Sequence, residues 1–252
     1  MADANINNRE PNLENVQNQL HETTLSNAET EPPPVEEEVV EREITQTDHL
    51  NKRLLSAFLD RINVGISGIT NSGKTSLTNK LRAHLPGCST ICQDSYFLEP
   101  PDPRLTPIPE LDHYNFDELN ALDMDAMIAD VQTWKDAQTS DLLGPTPSDL
   151  YNNVLILDGF RMYALRDLEQ MINKKYFIRV SFDACKVRRR TRHYTPPDKP
   201  GYFEKIVWPE SINHQREIQD QDDIEYLDGT ANQEELCQRV LCDIQRLCRL
   251  SS

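Results

Sequence analysis

Gly68-Ile69-Thr70-Asn71-Ser72-Gly73-Lys74-Thr75 fits the spacing G-x-x-x-x-G-K-[ST], the loop that wraps nucleotide phosphates, and Ser76 follows it into a helix. A glycine-bearing loop between a strand and a helix aims several backbone N–H groups, and the positive end of the helix dipole, at one anion. Lys74 is then set to reach the β- and γ-phosphates, and the Thr75 hydroxyl to bind Mg²⁺. Two carboxylates stand where apolar runs end. Asp94 follows residues 89–93, and Asp158 follows residues 154–157. In open α/β sheets the carboxyl ends of strands face the ligand crevice, so Asp94 is expected beside the γ-phosphate and Asp158 beside Mg²⁺ or its water. The alternatives are a helix cap or solvent exposure for Asp94, and an ordinary turn residue before Gly159 for Asp158.

Two further clusters carry chemistry. His113-Tyr114-Asn115-Phe116-Asp117 puts aromatics beside a carboxylate, as a hydroxylated ring substrate needs. The same residues also read as a helix start, with Asp117 near the N-terminus and Phe116 as a hydrophobic staple. Lys186, Arg188, Arg189, Arg190, Arg192 and His193 precede Tyr194-Thr195-Pro196-Pro197-Asp198. A basic helix running into a proline-rich hinge is how a lid is built, its arginines neutralising charge on a transferring phosphoryl group. Neighbours on a helix point about 100° apart, so only part of the set can face inward.

The elements that must position these residues follow from periodicity. A strand at 62–67 feeds the phosphate loop, and a helix at 76–85 leaves it, ending at Pro86-Gly87. A strand at 89–93 precedes a long loop at 98–115, where five prolines forbid a long helix or a central strand. The stripe Leu122, Met124, Met127, Ile128, Val131 and Trp134 predicts a core-packed helix over 119–138. A loop at 140–152, strands at 154–157 and 176–182, and the basic helix capped by Asp183 come next. A polar helix ends near Gln221, residues 223–230 form a last strand with its turn, and Asn232-x-x-Glu235 caps a C-terminal helix. This alternation implies a parallel sheet covered by helices on both faces.

Composition sets the compartment and excludes some partners. The net charge of −16 is uneven, with −10 of it in residues 1–50. Residues 1–47 are polar and acidic, include Glu31-Pro32-Pro33-Pro34-Val35-Glu36-Glu37-Glu38, and read as a disordered tail whose protein partner, if it has one, is unknown. From residue 48 Leu50, Leu54, Leu55, Phe58 and Leu59 form a helical apolar stripe, which packs beside the first strand or belongs to the tail; a domain over 48–252 is expected, its core starting at about Ile62. An acidic chain argues against general nucleic-acid binding. No run is long and apolar enough to span a membrane, and the first residues lack a signal peptide, so a cytoplasmic or nuclear protein is expected. The six cysteines include no C-x-x-C pair and read as buried free thiols.

Taken together, several motifs resemble nicotinamide riboside kinases. They are the stretch 65–75, Gln93-Asp94, Phe116-Asp117, Arg192-His193-Tyr194-Thr195-Pro196-Pro197-Asp198 with Pro200-Gly201-Tyr202-Phe203, Val207-Trp208-Pro209, and Tyr226-Leu227-Asp228-Gly229-Thr230. The resemblance covers about 62–235. It implies a phosphate-loop kinase fold of three α/β/α layers, with a five-stranded parallel sheet and a lid at about 186–204. It implies transfer of the ATP γ-phosphate to the 5′-hydroxyl of nicotinamide riboside, and of nicotinic acid riboside, with Mg²⁺ as cofactor and the chain acting as a monomer.

By the same resemblance Asp94 is the general base and, with Thr75 and Asp158, a metal ligand. Asp117 and Arg189 hold the ribose hydroxyls, and Phe116 and Tyr194 flank the pyridine ring. Ser95, Tyr96, Phe97, Thr195 and Asp198 complete the acceptor side. Arg188, Arg192, His193 and Tyr194 belong to the nucleotide side, with Ala231, Asn232 and Gln233 along the adenine. The family often has Glu where this chain has Asp158, and Tyr where it has Phe116. A uridine-kinase-like or pantothenate-kinase-like enzyme on the same fold, and a non-catalytic nucleotide-binding regulator, are the rival readings.

Overall fold

The computed structural model describes residues 61–137 and 151–250. The tail expected at 1–47, the apolar stripe at 50–59 and most of the loop expected at 140–152 lie outside them.

Five strands form one parallel sheet: β1 (Ile62–Gly68), β2 (Ser89–Cys92), β5 (Val154–Asp158), β6 (Lys174–Arg179) and β7 (Ile224–Asp228). They lie in the order β2-β5-β1-β6-β7. A two-residue antiparallel pair, β3 (Pro107–Ile108) and β4 (His113–Tyr114), folds the proline-rich loop back on itself. Ile62 pairs with Val154 and Ile66 with Asp158, which sets the last residue of β5 alongside β1 just before the phosphate loop. β2 pairs with β5 so that Cys92 lies opposite Asp158. The exit of β2, whose following 3₁₀ turn (Gln93–Tyr96) carries Asp94, and the end of β5 at Asp158 therefore open at the same edge as the loop from β1.

Helices α1 (Lys74–His84), α2 (Met124–Asp136), α3 (Arg166–Glu169), α4 (Phe182–Arg189), α5 (Trp208–Glu217) and α6 (Gln233–Leu250) cover the sheet. Strand side chains alternate between its faces. Val154 and Ile156 pack with Leu77 and Leu81 of α1 and with Val240 and Ile244 of α6. Leu155 and Leu157 pack with Met127 and Val131 of α2, Leu168 of α3 and Ile218 just beyond α5. Both faces are covered, so every residue of β1 and of β5 is buried.

Of the boundaries that differ from the sequence reading, three have a plain local reason, and β6 ends at Arg179, short of the expected 182. Leu119–Ala121 form a separate 3₁₀ turn, and Leu122 bridges to Phe97, so α2 starts only after Asp123. The Asp123 carboxylate accepts from the Ala126 N–H at 3.1 Å and fixes that start. α4 is capped by Ser181, whose hydroxyl accepts from the Ala184 N–H at 3.3 Å, and not by Asp183. It ends at Arg189, leaving Arg192 and His193 in the loop that follows, with the Thr191 hydroxyl donating to the Arg188 carbonyl. His113–Asp117 form a strand and loop, not a helix start. The Asn232 side chain does cap α6, accepting from Glu234 N at 2.8 Å. The cysteines are unequal as well: Cys185 and Cys237 are buried, whereas Cys242 is exposed.

Candidate active site

The phosphate loop turns on two glycines. Gly68 has φ 147°, and a Cβ there would lie 2.4 Å from the Ile178 carbonyl oxygen. Gly73, at φ 103°, is left-handed and lets the chain enter α1 at Lys74, two residues earlier than the periodicity suggested. Lys74 folds back to donate to the Ile69 carbonyl at 3.0 Å. Burial pulls its pKa down, while Asp158 and Asp94 pull it back up.

Gln93 aligns the two strand-end carboxylates. It is fully buried, and its Oε1 accepts from the N–H groups of both Phe160 and Arg161 at 2.9 Å. The exit of β5 is thereby fastened to the exit of β2. Asp158 is buried; burial pushes its pKa up, against the attraction of Lys74 and a hydrogen bond from the Thr75 hydroxyl. Asp94 is exposed, with the Arg192 guanidinium 3.8 Å from it.

Helix α4 holds the loop from the other side. Cys185 Sγ donates to the Thr70 carbonyl at 3.1 Å. Arg188 donates to the carbonyls of Asn71 (3.2 Å), Ser72 (3.4 Å) and Gly229 (2.9 Å), so its guanidinium is engaged by backbone. Arg189 is buried and forks onto Asp198 at 2.5 and 2.9 Å, with its third nitrogen 3.0 Å from Thr70 Oγ1. Burial lowers its pKa, but the Asp198 hydrogen bonds and the charge of Asp117 outweigh that and raise it. The Tyr194 hydroxyl meets the Asn71 side chain at 3.0–3.1 Å, and Arg189 lies over the Tyr194 ring at 4.2 Å.

The acceptor end is aromatic around one carboxylate. Tyr202 donates to Asp117 at 3.1 Å and accepts from the Phe116 N–H at 2.9 Å. Burial pushes the Asp117 carboxyl up to about 6, although Arg189 and Tyr202 favour its ionised form. Phe116 packs edge-on to Phe97 (6.1 Å) and to His113 (5.5 Å), and Phe97 stacks on Phe160 at 5.9 Å.

One cleft of about 570 Å³ joins these parts. Thr70, Lys74, Thr75, Asp94, Asp158 and Arg192 line it together with Phe97, Phe116, Asp117, Arg189, Tyr194, Thr195 and Asp198. Other expected residues lie off its walls. Tyr96 donates to Asp130 at 2.6 Å on α2, Asn232 caps α6, and His193 lines a neighbouring cleft with Lys186 and Glu204. Gln233 lies against Gly73, its Nε2 3.2 Å from where a Cβ would be. Ser95 and Ser76 are exposed beside the site. The cleft also takes in His113, named in the sequence reading only as part of the aromatic cluster, and Phe160, Tyr202 and Glu99, which that reading did not assign. Phe160 stands two residues past Asp158, so the rule that strand ends face the crevice was a signal for it. Tyr202 stood inside a quoted motif without a role.

No family model matches the chain. It is 39% identical over 191 residues to nicotinamide riboside kinase 1 of Mus musculus, an alignment that covers 75% of this chain and 96% of the relative. It is 40% identical over 189 residues to nicotinamide riboside kinase 2 of Homo sapiens, covering 72% and 80%. Among solved structures, a sugar kinase from a Janibacter species superposes with TM-score 0.44 at 15% identity, covering 72% of this chain and 93% of that one. At 39–40% identity along nearly the whole of one relative and four fifths of the other, the likeness extends far beyond a phosphate loop, and the chain belongs to the nicotinamide riboside kinase family.

Proposed function

We propose that this kinase transfers the γ-phosphate of ATP to the 5′-hydroxyl of nicotinamide riboside, and also of nicotinic acid riboside, forming the mononucleotides. The observation that carries the reading is the single cleft in which a phosphate-loop lysine, two strand-end carboxylates, and an aromatic pocket around Asp117 and Arg189 meet. Loose phosphoryl transfer is mostly positioning and charge neutralisation, so each group has a physical task.

Lys74 and Arg192 hold positive charge against the phosphates. Asp94 accepts the hydrogen of the 5′-hydroxyl and orients that oxygen; an alcohol attacking a phosphoryl group needs a placed carboxylate more than a strong base. The Asp117 carboxylate accepts from two ribose hydroxyls, while Arg189 stays fixed by Asp198 and Thr70. Phe116 and Tyr194 offer aromatic faces, which suit the cationic pyridinium ring. The Thr75 hydroxyl and the carboxylates of Asp158 and Asp94 are hard oxygen donors, a set that fits Mg²⁺ with its retained waters. Bound there with ATP, Mg²⁺ supplies neutralisation of phosphate charge.

The test is a panel of nicotinamide riboside, nicotinic acid riboside, uridine and pantothenate, each with ATP and Mg²⁺. Turnover of the pyridine ribosides alone, with phosphate on the 5′-oxygen, is expected. Turnover of uridine or pantothenate instead would keep the kinase and overturn the acceptor assignment.

A further inference from the structure

Beneath the acceptor pocket lies a buried polar cluster that phosphoryl transfer itself does not use. Arg161, three residues beyond Asp158, keeps only 9% of its side chain exposed. Its nearest carboxylates are Glu217 at 3.4 Å and Glu210 at 3.8 Å, both on α5, and its Nε and one terminal nitrogen make no hydrogen bond. His214 is 2% exposed, its Nδ1 3.4 Å from Glu217, and its Nε2 has no partner. A buried guanidinium left short of acceptors costs free energy, and a well-packed apolar side chain often does as well in such a place.

These orphaned atoms belong to residues around one small cavity of about 10 Å³, and Asp117 lines the same cavity with Glu210, Ser211 and Phe160. That volume is about what one water needs. The donor and acceptor types around it also suit one water. With Nδ1–H directed to Glu217, the neutral His214 ring presents Nε2 as an acceptor lacking a donor. Arg161 has N–H groups lacking acceptors, and Asp117 is a carboxylate with lone pairs beyond the one Tyr202 fills. A single water that accepts from one Arg161 N–H and donates to both Asp117 and His214 gives each of the three residues a partner.

We propose that a buried water at this point couples Arg161 to Asp117, making Arg161 a positioning residue for the carboxylate that binds the acceptor's diol. The proposal rests on the ribose-binding reading of Asp117. Arg161 acts through the water, and its effect is to favour the ionised, accepting form of Asp117. The other charged or titratable groups facing Asp117 are Arg189 and Asp198 of the lid segment, Tyr202, and Glu210 of α5. Arg189 and Tyr202 favour ionisation, whereas Asp198 and Glu210 oppose it. Burial holds His214 near 4, so it stays neutral through the range in which Asp117 titrates.

The experiment is the pH profile of kcat/KM for nicotinamide riboside at saturating ATP and Mg²⁺, on the full chain and its variants. Arg161→Met moves the acidic limb up by about one pH unit, a loss of about fivefold at pH 6 that approaches tenfold below about pH 5 and fades above pH 8. KM for ATP stays unchanged, and Arg161→Lys restores most of the profile. Arg161→Gln, which removes the charge but keeps a polar group, shifts the limb in the same direction as Arg161→Met, which keeps the test decisive if Arg161→Met does not fold. A purely structural role would lower stability and leave the limb in place, and superimposable limbs in the folded variants would overturn the coupling. Absence of any riboside turnover by the unaltered chain is a separate result, which removes the ribose reading and this inference with it.

Discussion

At the scale of single residues, two carboxylates make opposite demands. Asp94 is exposed beside Arg192, and the role proposed for it is positional. Asp94→Asn should lower kcat by about 10²–10⁴-fold, the range for a lost acid–base group, with ATP affinity retained; near-normal kcat would remove its assigned role. Asp117 has a folded pKa of about 6 against an ordinary 3.8. A group raised in this way binds more protons folded than unfolded, so its stabilisation is complete below about pH 4 and lost as pH rises through about 6. Asp117→Asn should therefore unfold with more difficulty at pH 8, by about 1–3 kcal/mol, while the acceptor KM rises steeply. Lower stability of that variant in a denaturant titration would contradict the burial argument. The placement of Asp94 just past a strand was legible because strand ends are written in local sequence. The Asp117 carboxyl is perturbed by residues far along the chain, Arg189 and Tyr202 among them, and no local pattern carries that.

At the scale of elements, α4 acts as a clamp on the phosphate loop. Cys185, Arg188 and Arg189 stand at i, i+3 and i+4 on one helix face and reach Thr70, Asn71 and Ser72. The basic run was visible in sequence, and its clustering within an acidic chain marked it as part of the site. How its members divide was not visible, since Arg188 finds its acceptors 117, 116 and 41 residues away. Composition alone cannot separate a cation aimed at phosphate from one fastened to backbone. Arg188→Met removes charged hydrogen bonds worth about 1.5–3 kcal/mol before relaxation. It should lower the melting temperature and raise KM for ATP while sparing KM for the riboside. Unchanged values for ATP would mean that the clamp does not hold the loop. The helix boundaries that shifted, at Asp123 and Ser181, did so where a side-chain cap outweighed apolar periodicity.

At the scale of the molecule, the strand order β2-β5-β1-β6-β7 places the phosphate loop at the exit of the central strand, flanked by Asp158 on one side and α4 on the other. The parallel α/β layering followed from strand–helix alternation; the order of strands in the sheet did not, because pairing is non-local. Every residue lining the cleft lies between Thr70 and Tyr202. Deleting residues 1–47 should accordingly leave kcat and both KM values within about twofold, a change of under 0.5 kcal/mol; a large loss would make that segment part of the site. Among the described residues no helix is long and apolar enough to cross a membrane.

The claim that unites these scales is that the cleft selects a cationic ring on a ribose. The ratio of kcat/KM for nicotinamide riboside to that for uridine, at saturating ATP and Mg²⁺, tests it most directly. A desolvated cation–π contact is worth about 2 kcal/mol, so the ratio should exceed about 30. A ratio at or below one, with ATP consumed, would show that the aromatic pocket does not read the ring charge and would contradict the account.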